Sequence, residues 1–457
     1  MIVTVLAFIA TLALLIVVHE YGHYRVAVAC GVKVLRFSVG FGRVVWRRQR
    51  TPGDTEFVLS ALPLGGYVRM LDEREGAVPP ELRDQAFNRK PLWQRAAIVA
   101  AGPAANLGLA VLLYGAAHWI GVDEPKAVLA SPPTGSVAQQ AGLRAGDWVK
   151  AVSSDGNAWR DVRSMTDLRW TLTQGALRGE RLTLSVTGID GRGQRSVSID
   201  LAALQARDVD AALMRRIGIG QPYGEPVLGE VKAGGPAARA GLMSGDRVVS
   251  LDGVPVADAA SLREQIRAAG ADATGPRTME WRVERAGRML TVPVTPSVSI
   301  DKEVRVGRIE AYVGKAPEMV SVSYGPVEGL VEAANRTWDM SVLTLKMMGR
   351  MLIGEASLKN LSGPLTIADY AGQSARLGIA YYLGFLAVVS ISLGVLNLLP
   401  LPMLDGGHLM YYLFEAVTGR PVSELWLDRL QRGGVAIMLM MMSLALYNDV
   451  ARLLGLH

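Results

Sequence analysis

His19, Glu20 and His23 stand in the order H-E-x-x-H inside an apolar run that begins at Met1. On a helix, positions i and i+4 share a face, so both imidazoles can grip one metal ion. Glu20 beside them is a candidate base for a water held at that ion. The address is unusual, because a charge at the centre of a membrane helix costs about 2.5–3.5 kcal/mol. The competing reading makes these three polar residues snorkelling at a helix end.

A catalytic zinc typically takes three protein ligands and keeps its fourth position open, so two histidines leave one ligand missing. The candidate lies in Asn397-Leu398-Leu399-Pro400-Leu401-Pro402-Met403-Leu404-Asp405-Gly406-Gly407-His408. An acidic residue at the end of an apolar segment is a functional candidate. Pro400 and Pro402 break the helix there, and Gly406 and Gly407 allow close backbone approach. Asp405, held on unwound chain, is the expected carboxylate ligand; the other reading has it cap a turn. His408 is either a further ligand or, as we favour, a group that orients the Asp405 carboxylate. His118 and His457 lie away from these segments.

The elements that must position these residues are apolar. Half of the 457 residues are hydrophobic and mean hydropathy is +0.23, yet 20% are charged, which fits a few membrane spans around a soluble insert. Spans are expected at 1–29, 96–120, 377–402 and 433–455, each near the roughly 20 residues a bilayer requires. The first is not a cleaved signal peptide, having no positive n-region and no small-residue cleavage pattern. Met438, Met440, Met441 and Met442 in the last read as packing or lipid-facing residues. The 30–95 loop carries twelve Lys and Arg whereas residues 1–18 carry no charge, so the positive-inside rule puts that loop in the cytoplasm. Both termini and the 121–376 insert then lie outside, and 403–432 inside. The H-E-x-x-H motif and the end of the third span come to the same side, which lets Asp405 meet His19 and His23. The net charge of +6 comes without an aromatic-interleaved basic patch, so no nucleic-acid partner is expected. The single Cys30 excludes a disulfide framework and a cysteine-based zinc finger.

The insert repeats itself. AGLRAGDWV at 141–149 matches AGLMSGDRV at 240–248, preceded by GSVAQQ and GPAAR and followed by Asp155-Gly156 and Asp252-Gly253. Alternating runs at 181–186, 197–201, 278–283 and 290–294 predict strands. Two domains are expected, at 125–222 and 223–315. The pattern resembles bacterial PDZ domains, which add an extended peptide to a sheet edge; an unrelated duplicated β domain is the other reading. Residues 320–376 form an amphipathic region, expected to lie at the outer membrane interface or to pack on the repeats. Alternating segments at 43–46 and 57–62, with Gly40, Gly42, Gly65 and Gly66, predict a β-hairpin.

Together HEYGH, AGPAAN at 101–106 and NLLPLPMLDGGH at 397–408 resemble the site-2 protease family of intramembrane zinc metalloproteases. The paired repeats narrow the resemblance to its RseP-like, sigma-E-regulator branch, as do GFGRVVWRR, PLGGYVRM and the LSGP at 361–364. The resemblance implies a membrane α-helical protein with four transmembrane helices, a membrane-reentrant β-hairpin and two periplasmic PDZ-like (α+β) domains. It implies one zinc ion on His19, His23 and Asp405, with Glu20 as base. The hairpin edge, including Gly65 and Gly66, would pair with an unwound substrate, and Pro400 and Pro402 would line its path. Asn397 either hydrogen-bonds substrate backbone or joins helices; Asn106 packs helices or supports a ligand. The implied substrates are single-span membrane proteins, of the trimmed anti-sigma-factor type in an envelope stress response, with signal-peptide remnants also open and lipid as a further partner. The implied location is the bacterial inner membrane, with both termini periplasmic and the active site near the cytoplasmic side. A non-catalytic scaffold presenting PDZ domains to periplasmic peptides is the alternative. No G-x-S-x-G-type nucleophile motif supports a serine protease, and no inverted repeat of spans supports a transporter.

Overall fold

The computed structural model describes residues 2–206, 211–270, 275–301, 304–352 and 363–453. Leu361 and Ser362 of LSGP, positions 207–210 of the first repeat, His457 and the last residues of the expected fourth span lie outside them. The chain divides into two units, Met1–Val122 with Ser323–His457, and Asp123–Val322.

Four helices of the first unit are long and apolar enough to cross a membrane. They are α1 (Ile2–Ala29), α2 (Leu92–Ile120), a third span (Ile379–Asn397) and a fourth (Glu424–Leu453). Small residues set the distance between α1 and α2: a Cβ on Gly22 would meet the Ala101 carbonyl oxygen at 2.4 Å, so only glycine lets these backbones come together. Ala110, Leu113 and Tyr114 of α2 share a core with Leu386, Ala387 and Ile391 of the third span and with Ala333. Ala333 belongs to the helix Pro326–Leu352, whose buried face rests on α2 and the third span while Trp338 on its other side is exposed.

Two expectations change here. The 403–432 segment is not a loop: it holds a helix, Asp405–Thr418, and the fourth span begins within it, at Glu424. Accordingly Asp405 is not on unwound chain but is the first residue of that helix; the unwound stretch is 398–404. Pro402 bars any continuation of the third span, and a carboxylate in a first turn suits the positive end of the helix dipole. Asp405 caps no turn either, since the N-cap is Leu404 and no side chain caps this helix. A Cβ on Gly406 would fall 2.2 Å from the Leu399 carbonyl oxygen, and one on Gly407 equally close to that of Leu401. The two glycines therefore let the new helix turn back against the prolyl segment.

Between α1 and α2, the expected hairpin is larger than its sequence pattern. Strands β1 (Val34–Arg48) and β2 (Glu56–Met70) each bend and pair in two registers. Phe37 faces both Phe57 and Val68, while Trp46 faces Leu59. The result is a curled sheet of four segments in the order 66–70, 34–39, 56–60, 44–48. Gly40, at φ 87°, supplies one bend and leaves room for the Leu62 carbonyl oxygen.

In the second unit the sequence repeat folds as a structural repeat. Each copy is a four-stranded antiparallel sheet of the same order. The first runs Arg160–Asp161, Trp148–Ser153, Arg181–Thr187, Arg195–Asp200; the second runs Val254–Pro255, Arg247–Leu251, Met279–Arg285, Arg288–Val294. One helix covers each, Met165–Arg178 and Ala259–Ala268, with Ser164 and Asp258 as N-caps. The repeated Asp recurs in role. Asp147 accepts from the Arg144 amide and from Arg195, and Asp246 accepts from the Met243 amide and from Arg285. Each copy has its own apolar core.

Candidate metal centre

One turn of α1 puts the two motif imidazoles on one face, with their Nε2 atoms 3.3 Å apart. The Asp405 helix brings Oδ2 to 3.2 Å from His19 Nε2 and 3.5 Å from His23 Nε2. Three ligand atoms around a tetrahedral zinc, at bonds of about 2.0–2.1 Å, stand about 3.4 Å from one another. The observed triangle has those sides. Among the described residues this is the one group of three potential metal-ligand side chains within ligating distance of each other. Asp405 Oδ2 is buried and accepts no hydrogen bond, so its closeness to the rings is not a hydrogen-bonded pairing. An orphaned carboxylate oxygen facing two ring nitrogens is the chemistry of a cation site, and the donor set fits zinc.

The far side of each ring is also held. His23 Nδ1 lies 2.8 Å from the Ile98 carbonyl oxygen of α2. It therefore carries the proton, and the Nε2 lone pair faces Asp405. His19 Nδ1 lies 3.2 Å from the amide nitrogen of Asn106, whose Oδ1 is buried with no partner. Exchanging the two amide atoms, which ordinary assignment does not distinguish, lets Oδ1 accept from Nδ1–H and frees His19 Nε2 in the same way. Asn106 is thus placed to support His19, and its own carbonyl accepts from Ser390 of the third span at 2.8 Å.

The Asp405 helix is fastened to α2. Arg95 donates two hydrogen bonds to the Glu415 carboxylate, at 2.6 and 3.2 Å, and its guanidinium lies over the Tyr412 ring. A cavity of about 570 Å³ begins at Glu20, His23 and Asp405 and continues past His408 to Arg74, Arg95 and Glu415. It brings solvent-sized space to the Glu20 carboxylate.

The other expected site residues are placed differently. Gly66 stands against the motif: a Cβ there would lie 2.8 Å from the Ser38 carbonyl oxygen and 2.9 Å from Glu20 Cγ, so β2 lies directly on α1. Gly65 instead makes room for the Phe41 ring. His408 lines the cavity, but its ring is turned edge-on to Tyr411 and makes no hydrogen bond with Asp405. The ring turns toward Tyr411 instead, and the expected orienting hydrogen bond to the carboxylate is not made. Asn397 ends the third span, and its side chain makes no hydrogen bond among the described residues. Pro400 is exposed, and Pro402 faces Gly434 of the fourth span. His118 lies at the far end of α2, against Gly329.

Gly102 was not singled out by the sequence reading. A Cβ there would stand 2.2 Å from His23 Nε2 and 2.9 Å from His19 Cε1, so α2 presents bare backbone to both rings. Its signal was present, as the glycine of AGPAAN, but nothing in that motif says which neighbour requires it.

Comparison with known proteins places these features in context. The model for "Peptidase family M50" matches residues 7–441. A protein of Ralstonia nicotianae named as a candidate zinc metalloprotease is 43% identical over 99% of both chains. The regulator of sigma-E protease RseP is 40% identical in Salmonella typhimurium and 39% in Escherichia coli, each over 98% of both chains.

Proposed function

Because the chain belongs to peptidase family M50 and is a membrane zinc metalloprotease, we propose that His19, His23 and Asp405 hold its zinc ion and that Glu20 is its general base. The observation that carries this reading is the triangle of ligand atoms formed by two histidines of a membrane-length helix and Asp405. Zinc bound there would polarise the scissile carbonyl and acidify the attacking water. Glu20 takes a proton from that water as its oxygen bonds to the carbonyl carbon. It then delivers the proton to the amide nitrogen as the C–N bond breaks. His23, held by Ile98, and His19, supported by Asn106, keep the ring nitrogens on the metal side. The cavity past His408 supplies the water.

The substrate is a single-span membrane protein, cut within its membrane segment. A helical segment hides its carbonyls in hydrogen bonds and must be extended before attack. The edge of the β1–β2 sheet offers a template, and Asn397, with its free amide beside the prolyl turn, offers hydrogen bonds to the opened backbone. The repeated modules of the second unit are read as periplasmic PDZ domains that screen substrates, with the β1–β2 sheet and the metal centre toward the cytoplasmic face. The relatives named as regulators of sigma-E point to a trimmed anti-sigma factor as the substrate class.

The test is Glu20→Gln in reconstituted membranes with single-span substrates. The variant should keep one zinc per chain and lose cleavage; undiminished cleavage would overturn the assignment.

A further inference from the structure

A second cavity, of about 860 Å³, lies at the C-terminal end of α1 toward the 44–48 edge of the β1–β2 sheet, whereas the cavity at Glu20 is lined from the 66–70 edge by Val68 and Met70. Its wall is apolar and aromatic, formed by Tyr24, Val28, Trp46 and Phe57. Its rim carries Lys33, Arg48 and Arg50. None of these three cations has an ion-pair partner among the described residues, although the neighbouring Arg36 and Arg47 both pair with Glu56. The one acid on the rim, Asp54, is occupied, accepting from the amide and hydroxyl of Thr51 at 3.1 and 2.7 Å. Trp46 is half exposed, and Val44 and Val45 beside it are exposed too.

An apolar slot with an unpaired cationic rim at the end of a membrane span has the chemistry of an anionic amphiphile. We propose that this cavity binds an anionic phospholipid, its phosphate among Lys33, Arg48 and Arg50 and its upper acyl chain along Trp46 and Val28. A span end lies where headgroup meets hydrocarbon, and tryptophan favours that depth. The ligand would join the end of α1 to the outer segment of the sheet whose other edge, at Gly66, lies against Glu20. Lipid composition would thereby bear on the stiffness of the element beside the catalytic carboxylate.

The test uses the full chain reconstituted without substrate in phosphatidylcholine vesicles. The probes are dibrominated phosphatidylglycerol or, at equal bromine content, dibrominated phosphatidylcholine. The chain has nine tryptophans, so the Trp46 contribution is the difference between the protein and its Trp46→Phe variant. Quenching of that contribution should show the anionic lipid enriched, and Arg48→Gln with Arg50→Gln should cut the enrichment by about fivefold per cation removed. Both arginines are exposed, so the double variant should fold, and Arg48→Lys with Arg50→Lys should retain the enrichment. Equal quenching by the two lipids would overturn the proposal, and is the result expected if the cavity is reserved for a polypeptide. Enrichment unchanged in the double glutamine variant would overturn it as well, as would its abolition by millimolar glycerol phosphate, which carries no acyl chain.

Discussion

Gly102 and His23 are in contact that no larger residue could share: a Cβ on Gly102 would stand 2.2 Å from the ring nitrogen that faces Asp405. The backbone of α2 therefore forms one wall of the metal centre. Gly102→Ala should push His23 off its position and weaken zinc binding by about 100-fold, the upper range for residues that orient ligands. Chelator competition on the purified protein measures this, and zinc affinity equal to that of the parent would show that the wall can yield.

Gly66→Ala should separate binding from catalysis. Its Cβ would press on Glu20 Cγ and on the Ser38 carbonyl oxygen, without touching a ligand. Zinc content should stay at one per chain while cleavage falls by about 100-fold, the cost of misplacing a reacting group by about an ångström. Loss of zinc and activity together would instead place Gly66 with the ligands.

Asn106→Ala removes the support of His19 Nδ1 and should weaken zinc binding by about 10- to 100-fold. Asn106→Asp presents only acceptors and should hold the ring as well as the parent does. If alanine and aspartate behave alike, Asn106 acts through helix packing and not through the ring.

The Asp246–Arg285 pair gives the second unit an acid limit. Burial alone would raise the Asp246 carboxyl, but Arg285 at 2.6 and 2.7 Å and the Met243 amide outweigh it and hold the group below the ordinary range. A carboxyl depressed on folding stabilises the folded state above its unfolded value of about 3.9, and that stabilisation is lost as pH falls through the folded value. Asp246→Asn should thus lower stability at neutral pH, because it leaves Arg285 without its carboxylate partner. The difference from the parent should shrink below about pH 4. Unfolding followed through the buried Trp281 of the same module reads both effects.

The histidine pair was legible because its spacing encodes a helix face, and spacing is a local property. The nearness of Asp405 to the histidine pair was legible only as an expectation from topology: the excess of cations in the 30–95 loop predicts an orientation of the spans that would bring the two segments to one side. Asp405 opening a helix was not legible. Two prolines and two glycines read as unwound chain, and the carbonyls that Gly406 and Gly407 accommodate are revealed only when the chain turns back on Leu398–Pro402. The double register of β1 was hidden for a similar reason. Phe37 alternates as any strand residue does, and alternation cannot say that it pairs on both edges. Gly102 is the clearest case. A glycine in a helix marks close approach, but its partner is a ring about 80 residues earlier in the chain.

The proposed metal centre is divided along the chain, with Asp405 382 positions after His23. At ~5–20 residues per second of synthesis, the N-terminal half of the centre is made about 20–75 s before the residue that completes it. A newborn chain already placed in the membrane, among other proteins' spans, is therefore inert as a peptidase. It becomes competent only after the second unit, encoded wholly within that interval, has been made, so the site and the repeated modules reach completion together.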